Sequence, residues 1–162
     1  MHRKLLKIVH EVAAVGVMGA LASCVVLVAT APRASMVQFA AVRQGIAAIE
    51  QWMLVPSLVL VLVSGLLAIV ANRPYLHAGW PWLKALLGLG MFEGTFLTVS
   101  SRAREAAQLS GQALSAAGDP AQLAEVLRTE WLGLWTILLM SLANIVVAIW
   151  RPRFLPHSLG DS

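Results

Sequence analysis

Four long apolar stretches constrain the fold of this chain more than any other feature of its sequence. They run over about residues 5–31, 52–71, 82–101 and 131–150. Because a helix rises about 1.5 Å per residue, about 20 apolar residues cross the roughly 30 Å hydrocarbon core of a bilayer. Each stretch is long enough to do so. The first is too long in its apolar part for a signal peptide, so we interpret it as a retained helix.

The composition supports a membrane protein. Hydrophobic residues make up 59% of the 162 residues, charged residues make up 12%, and the mean hydropathy is +0.76. A soluble domain carries about a quarter charged residues, so this composition excludes a soluble enzyme. The net charge is +4, but the basic residues are too few and too scattered to form a surface that binds a phosphate backbone. We therefore expect no nucleic-acid partner. We predict an all-α integral membrane four-helix bundle, a single domain over residues 1–162 that lies in the lipid bilayer.

Signals at the helix ends predict that three helices continue beyond their apolar stretches. Ser35 has the pattern of an N-cap for a helix that begins well before the second stretch. Asn72 and Gly79 mark the end of helix 2 and the start of helix 3. Asp119 and Pro120 form an N-cap and first-turn proline for helix 4. We therefore expect helices 2, 3 and 4 to extend together on one side of the membrane as a small extramembrane helical crown.

The distribution of Lys and Arg favours a cytoplasmic location for both termini. The face with the termini and the loop between helices 2 and 3 carries more of these residues than the opposite face. The first set is Arg3, Lys4, Lys7, Arg73, Lys84, Arg151 and Arg153, and the second is Arg33, Arg43, Arg102, Arg104 and Arg128. Because cytoplasmic loops are enriched in positive residues, we expect a multi-pass protein of the bacterial inner membrane with both termini inside.

Small residues at helical spacing predict where the helices approach each other closely. Helix 1 carries Gly16 and Ala20 on one stripe, and helix 3 carries Gly90 and Gly94 in a G-x-x-x-G pattern. These residues fit packing within one chain, a homodimer face, or contact with a larger membrane complex. Pro56 in helix 2 removes a backbone donor, so we expect a kink there.

Two acidic residues inside the apolar stretches are candidates for function, because ionisable groups are costly in a membrane. Glu93 lies near the middle of helix 3, and Glu11 lies just inside the start of helix 1. We expect both to be buried. Glu93 could carry protons or contact a ligand. An equally good alternative is a protonated carboxyl group with only a structural role, hydrogen-bonded to a neighbouring polar group.

Histidine and lysine residues near one membrane face form a candidate cofactor site. His10 lies about one turn after Lys7, and His77 lies in the short loop between helices 2 and 3. Imidazoles ligate haem iron and metals such as copper, so His10 and His77 are candidate ligands for either. A hydrogen-bonded interfacial histidine is the simpler alternative. Lys84 fits either snorkelling to lipid headgroups or binding of a carboxylate such as a porphyrin propionate.

Several short motifs resemble a family of bacterial four-helix integral membrane proteins of unknown function, over essentially the whole chain. They are Lys7 to His10 with the alanines that follow, Pro56 before Ser64-Gly65-Leu66, Trp82 with Lys84, and Arg151-Pro152 after the last span. More distantly, the pattern is similar to the HemJ-type protoporphyrinogen oxidases and to the CopD membrane domain. The resemblance implies bound haem b, with His10 and Lys84 in the essential positions. HemJ-like chains carry a further histidine in helix 3, which this sequence lacks.

Three functions are compatible with these features. The first is a haem-b-binding redox or porphyrin-handling protein of HemJ-like architecture. The second is a non-catalytic accessory or assembly subunit of a larger membrane complex. The third is a small transporter or metal-handling protein that uses Glu93. The sequence carries no phosphate-binding loop, nucleophile elbow or zinc-protease motif, so whether the chain is an enzyme stays open.

Overall fold

The chain folds into four long helices, with no strand in the part that the structure describes. The computed structural model describes residues 2–72, 79–114 and 119–150. The helices are α1 (His2–Thr30), α2 (Met36–Ala71), α3 (Gly79–Ala113) and α4 (Pro120–Trp150). Each of them is long and apolar enough to cross a membrane. The prediction of an all-α chain with four long apolar helices is therefore confirmed.

The helix boundaries follow the capping residues in the sequence. The Ser35 hydroxyl accepts a hydrogen bond from the amide of Gln38 at 3.4 Å, and α2 begins at the next residue. Asn72 caps the other end of α2. The Asp119 carboxylate accepts a hydrogen bond from the amide of Ala121 at 2.9 Å, where α4 begins. These contacts confirm the predicted limits of helix 2 and the predicted start of helix 4.

Two helices contain a π-helical segment, which the sequence did not lead us to expect. The segments are Glu50–Leu54 in α2 and Thr95–Val99 in α3. In each, the amide that follows the segment donates to the carbonyl of its first residue, five positions earlier. Such turns are rare and occur often at functional sites. Pro56 closely follows the first segment and has no backbone N–H to donate to the preceding turn. At the position of the kink predicted for helix 2, the structure therefore has a widened turn, which tolerates the missing hydrogen bond.

The helices pack side by side as a bundle around one main core, and a smaller buried cluster of Ala106, Leu109 and Val126 joins α3 to α4. The Val55–Ala71 part of α2 contacts α1 and the Gly79–Gly94 part of α3. The Ser100–Ala113 part of α3 packs against Met36–Ile49 of α2, and α4 contacts both parts of α3. All four helices contribute to the core, whose buried members include Leu21, Ile46, Leu54, Leu58, Val99 and Leu134.

The predicted small residues lie at contacts between helices of the same chain. A side-chain carbon at Gly90 or Gly94 would lie 3.1 Å or 3.0 Å from the tip of a side chain on α4. A side-chain carbon at Gly16 would lie 2.5 Å from the hydroxyl oxygen of Ser57 on α2. Ala20 is fully buried in the core. Close backbone approach at these positions therefore sets the spacing between neighbouring helices.

Replacing Gly94 with leucine is expected to lower the free energy of unfolding by about 1–3 kcal/mol, because the new side chain would overpack the contact with Ile137. The measurement is thermal unfolding in detergent. Gly45→Leu is the matched control, since no atom lies within 4 Å of a side-chain carbon built at Gly45. Equal losses in the two variants would contradict the assignment of Gly94 to the contact between α3 and α4.

Candidate functional site

A cavity between all four helices brings together most of the polar residues that the sequence singled out. Its volume is about 600 Å³, within the roughly 300–1,000 Å³ of typical ligand sites. Most of the side chains around it are apolar. The charged or strongly polar ones are Lys7, His10, Glu11, Asn72, Lys84, Ser141 and Asn144. We name this space the His10 cavity.

The imidazole of His10 is held on one side by α2. Its Nδ1 lies 3.1 Å from the carbonyl oxygen of Val61 and 3.0 Å from the hydroxyl oxygen of Ser64. A carbonyl can only accept, so Nδ1 carries a proton and donates it. In the neutral ring Nε2 is then the unprotonated nitrogen, and it makes no hydrogen bond to any residue that the structure describes. A fixed Nδ1 donor with a free Nε2 is the arrangement that orients histidine as a metal ligand.

Residues 64 and 65 of α2 are suited to holding this ring. The Ser64 hydroxyl donates to the carbonyl of Leu60 at 2.5 Å, so its lone pairs remain available to accept from His10. Gly65 lies directly under the ring, since a side-chain carbon there would be 3.4 Å from Cε1 of His10. That distance allows alanine, but a longer side chain would displace the imidazole. The Ser64-Gly65 pair therefore positions His10 through one hydrogen bond and one close backbone approach.

The structure places Lys84 at the same cavity as His10, as expected for a shared site. Lys84 is half-buried, and both Lys84 and Glu11 interact electrostatically with His10. Lys7 and Glu11 are exposed and line the same space. Asn144 of α4 adds a buried carboxamide oxygen without a partner among the described residues. The cavity thus combines an apolar body with two ammonium groups and an imidazole nitrogen that has no hydrogen-bond partner among the described residues.

The two acidic residues of the apolar stretches are not packed inside the bundle. The side chains of Glu93 and Glu11 are both exposed, and Glu11 lines the His10 cavity. Their burial in a membrane stays a prediction. The inward face of α3 includes Met91 and Thr95, which are buried. Glu93 lies two residues from each, and two helical steps turn a side chain to the opposite face. Glu93 does not line the His10 cavity, so the hypothesis of a transporter that uses Glu93 gains no support from that cavity.

Metal binding by side chains finds limited support. His77 lies outside the described residues, so its predicted pairing with His10 lies outside them too. Within residues 2–72, 79–114 and 119–150, no three His, Cys, Asp or Glu side chains converge as a metal-binding group.

A buried charged cluster, formed by Arg43, Glu50 and Glu130, was missed by the sequence analysis. Arg43 and Glu50 are 1% exposed and Glu130 is 0% exposed. The Arg43 guanidinium donates to the Glu130 carboxylate in a direct ion pair between α2 and α4. We had counted Arg43 among the charges of the outer face. The available signal is its helical spacing, because Arg43 shares one face of α2 with the buried Phe39 and Ile46.

Comparisons of this chain with protein-family models, with curated proteins and with solved structures find no match. The resemblance to HemJ-type and CopD membrane proteins therefore stays a prediction that rests on the motifs quoted above.

Proposed function

We propose that this chain is a four-span membrane protein that binds haem b in the His10 cavity and handles its redox or porphyrin chemistry. The observation that carries the proposal is the state of His10. Its Nδ1 donates to the backbone of Val61 and to Ser64, which fixes the ring and leaves Nε2 for a ligand at a cavity of about 600 Å³. An imidazole supported in this way is a common ligand of haem iron, and His10 would hold the iron here.

The residues around the cavity fit the other parts of a haem molecule. The apolar side chains from all four helices suit a porphyrin ring. Lys7 and Lys84 supply cations suited to the two propionates, because charge-assisted hydrogen bonds to carboxylates are strong. The buried oxygen of Asn144 lacks a partner among the described residues and would gain one from a polar ligand. Bound haem would supply one-electron chemistry, while the chain orients the iron and excludes water.

The experiment that tests this function is a titration of haem into the detergent-purified, haem-free protein. We expect the Soret absorbance to saturate at one haem per chain. Filling the cavity through Gly65→Leu should prevent uptake, because the new side chain displaces the His10 ring. Gly45→Leu is the control, since Gly45 is exposed and does not line this cavity. Uptake that does not saturate, or that is equal in both variants, would contradict a specific site.

We further propose that the four helices cross the bacterial inner membrane, with both termini in the cytoplasm and a helical crown on the other side. The support is the exposed apolar surface of the bundle and its tryptophans. Trp52 and Trp135 are exposed at one level of the helices, and Trp82 and Trp150 are exposed at the other. Amphipathic indole rings favour the two membrane interfaces, so these levels mark the bilayer limits. The crown then contains the Met36–Ile49 part of α2 and its neighbours on α3 and α4.

The orientation can be tested with a reporter enzyme that is active only in the periplasm. We expect it to be silent when fused after Asp161 and active when inserted near Ser115, because the termini share the face richer in Lys and Arg. The reverse pattern of activity would place the termini outside and refute the charge argument. Equal expression of both fusions, measured by immunoblot, is the control.

A further inference from the structure

The charges of the buried cluster of Arg43, Glu50 and Glu130 do not cancel, because it contains two carboxylates and one guanidinium. Arg43 neutralises Glu130 through their ion pair, but Glu50 has no such partner. Both carboxylate oxygens of Glu50 are buried and make no hydrogen bond to the described residues. If all three groups are ionised, the cluster carries a net charge of −1. A buried charge without compensation is strongly unfavourable, so this arrangement calls for one further positive charge.

The charged groups around Glu50 do not supply that charge. Glu50 interacts electrostatically with Glu130, Arg43 and Arg104. Arg43 is already paired with Glu130. Arg104 carries a positive charge near Glu50, but it is exposed, so water screens that charge, and it makes no hydrogen bond to the Glu50 carboxylate. The remaining neighbour is the thiol of Cys24 on α1, which cannot become a cation.

Three further buried oxygens in this part of the bundle lack partners among the described residues. They are the hydroxyl oxygens of Thr95 and Ser100 on α3 and the second carboxylate oxygen of Glu130 on α4. Thr95 and Ser100 are 0% and 2% exposed, so bulk water does not satisfy them. Glu50 and Thr95 are also the first residues of the two π-helical segments. Buried oxygen atoms without donors are the ligands that hard cations prefer.

The oxygens of Glu50, Ser100 and Glu130 border one buried core cluster. Ile46 and Leu54 lie one turn before and after Glu50 on α2. Val99 lies next to Ser100 on α3, and Leu134 lies one turn after Glu130 on α4. All four apolar residues belong to one contiguous buried cluster. The polar side chains beside them therefore border the same buried core, and the Glu50–Leu54 segment of α2 contacts the Ser100–Ala113 part of α3.

We propose that Glu50 holds one exchangeable monovalent cation, a proton or a sodium ion, in the charged cluster. One positive charge brings the sum over Arg43, Glu50 and Glu130 to zero. A divalent ion would leave an excess of one charge and normally takes six or more oxygen ligands. Among the described residues, only two carboxylates meet here, and no group of three acidic or metal-ligating side chains converges. The charge balance therefore selects a monovalent ion.

The sodium ion is tested by thermal unfolding in detergent at constant ionic strength, with sodium chloride exchanged for choline chloride. A bound ion stabilises the folded chain, so we expect the midpoint to rise by about 2–4 °C once sodium exceeds its dissociation constant several-fold. Glu50→Gln keeps the shape of the side chain and should abolish the rise. Glu105→Gln is the control, because Glu105 is partly exposed and pairs with Arg102 one turn away. A rise that persists in Glu50→Gln would overturn sodium binding at this residue.

Protonation of Glu50 is tested by infrared spectroscopy of the wild-type protein in sodium-free buffer near neutral pH. A protonated buried carboxyl gives a carbonyl stretch that a carboxylate lacks, and we expect Glu50→Gln to remove it. Loss of this band on sodium addition would identify exchange of the two ions. A wild-type protein with neither a sodium-dependent midpoint nor a carboxylic acid band would refute the proposal, even if the variant fails to fold.

Discussion

Replacing Arg43 with methionine is expected to destabilise the folded chain by about 3–5 kcal/mol, among the largest effects for a single residue in this bundle. The change keeps most of the volume of the buried side chain but removes its positive charge. Glu130, which is 0% exposed, is then left beside Glu50 without its guanidinium partner. The measurement is thermal or chemical unfolding in detergent. An effect below about 1 kcal/mol would mean that water reaches the cluster, as at a surface ion pair.

The double variant Arg43→Met, Glu130→Gln separates the ion pair from the packing. Removing both charges leaves no unpaired ion, so most of the stability lost in the single variant should return. Arg128→Met, at an exposed arginine of the same face, is expected to change the stability by less than about 0.5 kcal/mol. If the double variant is as unstable as Arg43→Met alone, the loss comes from packing and not from an unpaired charge.

Replacing His10 with alanine is expected to abolish the haem spectrum or shift it sharply, because loss of an axial ligand changes the coordination and potential of the iron. Lys84→Met should weaken haem retention by about 1.5–3 kcal/mol, the value of one charge-assisted hydrogen bond. Both effects are measured as absorption spectra and haem dissociation constants of the purified variants. A larger effect of His10→Ala than of Lys84→Met identifies His10 as the ligand of the iron and Lys84 as a contact to a propionate.

Glu93→Gln is the matched control for the haem variants. Glu93 is exposed on the outside of α3 and does not line the His10 cavity. The absorption spectrum of the Glu93→Gln variant should therefore equal that of the wild-type protein. Ser64→Ala leaves the Val61 carbonyl as the acceptor for Nδ1 and should lower haem affinity only modestly. If His10→Ala keeps the wild-type spectrum while Glu93→Gln alters it, the ligand lies elsewhere.

Local signals in the sequence were sufficient to predict the four helices. The apolar stretches, the N-caps at Ser35 and Asp119 and the C-cap at Asn72 act within a few residues, and the structure confirms them. The sequence also predicted that His10 and Lys84 lie near each other, because each residue is close to the N-terminal end of its helix. A four-helix bundle that alternates in direction brings such ends together.

The features that the sequence did not reveal depend on contacts between distant residues. The ion pair joins Arg43 and Glu130, which are 87 positions apart, and neither residue signals its partner. Thr95 begins a π-helical segment with no proline nearby. The outward direction of the Glu93 side chain could not be predicted, because an almost uniformly apolar helix gives little indication of which face turns inward. Helix rotation in such segments is set by tertiary packing at close contacts such as Gly94.

The most direct test of the proposed function is the absorption spectrum of the wild-type protein purified from haem-replete cells. With His10 as an axial ligand in a cavity of about 600 Å³, we expect a Soret band and about one haem b per chain. A protein that is folded, as judged by circular dichroism, but shows no Soret band would contradict the account. His10 would then be an interfacial residue whose Nδ1 merely bonds to α2.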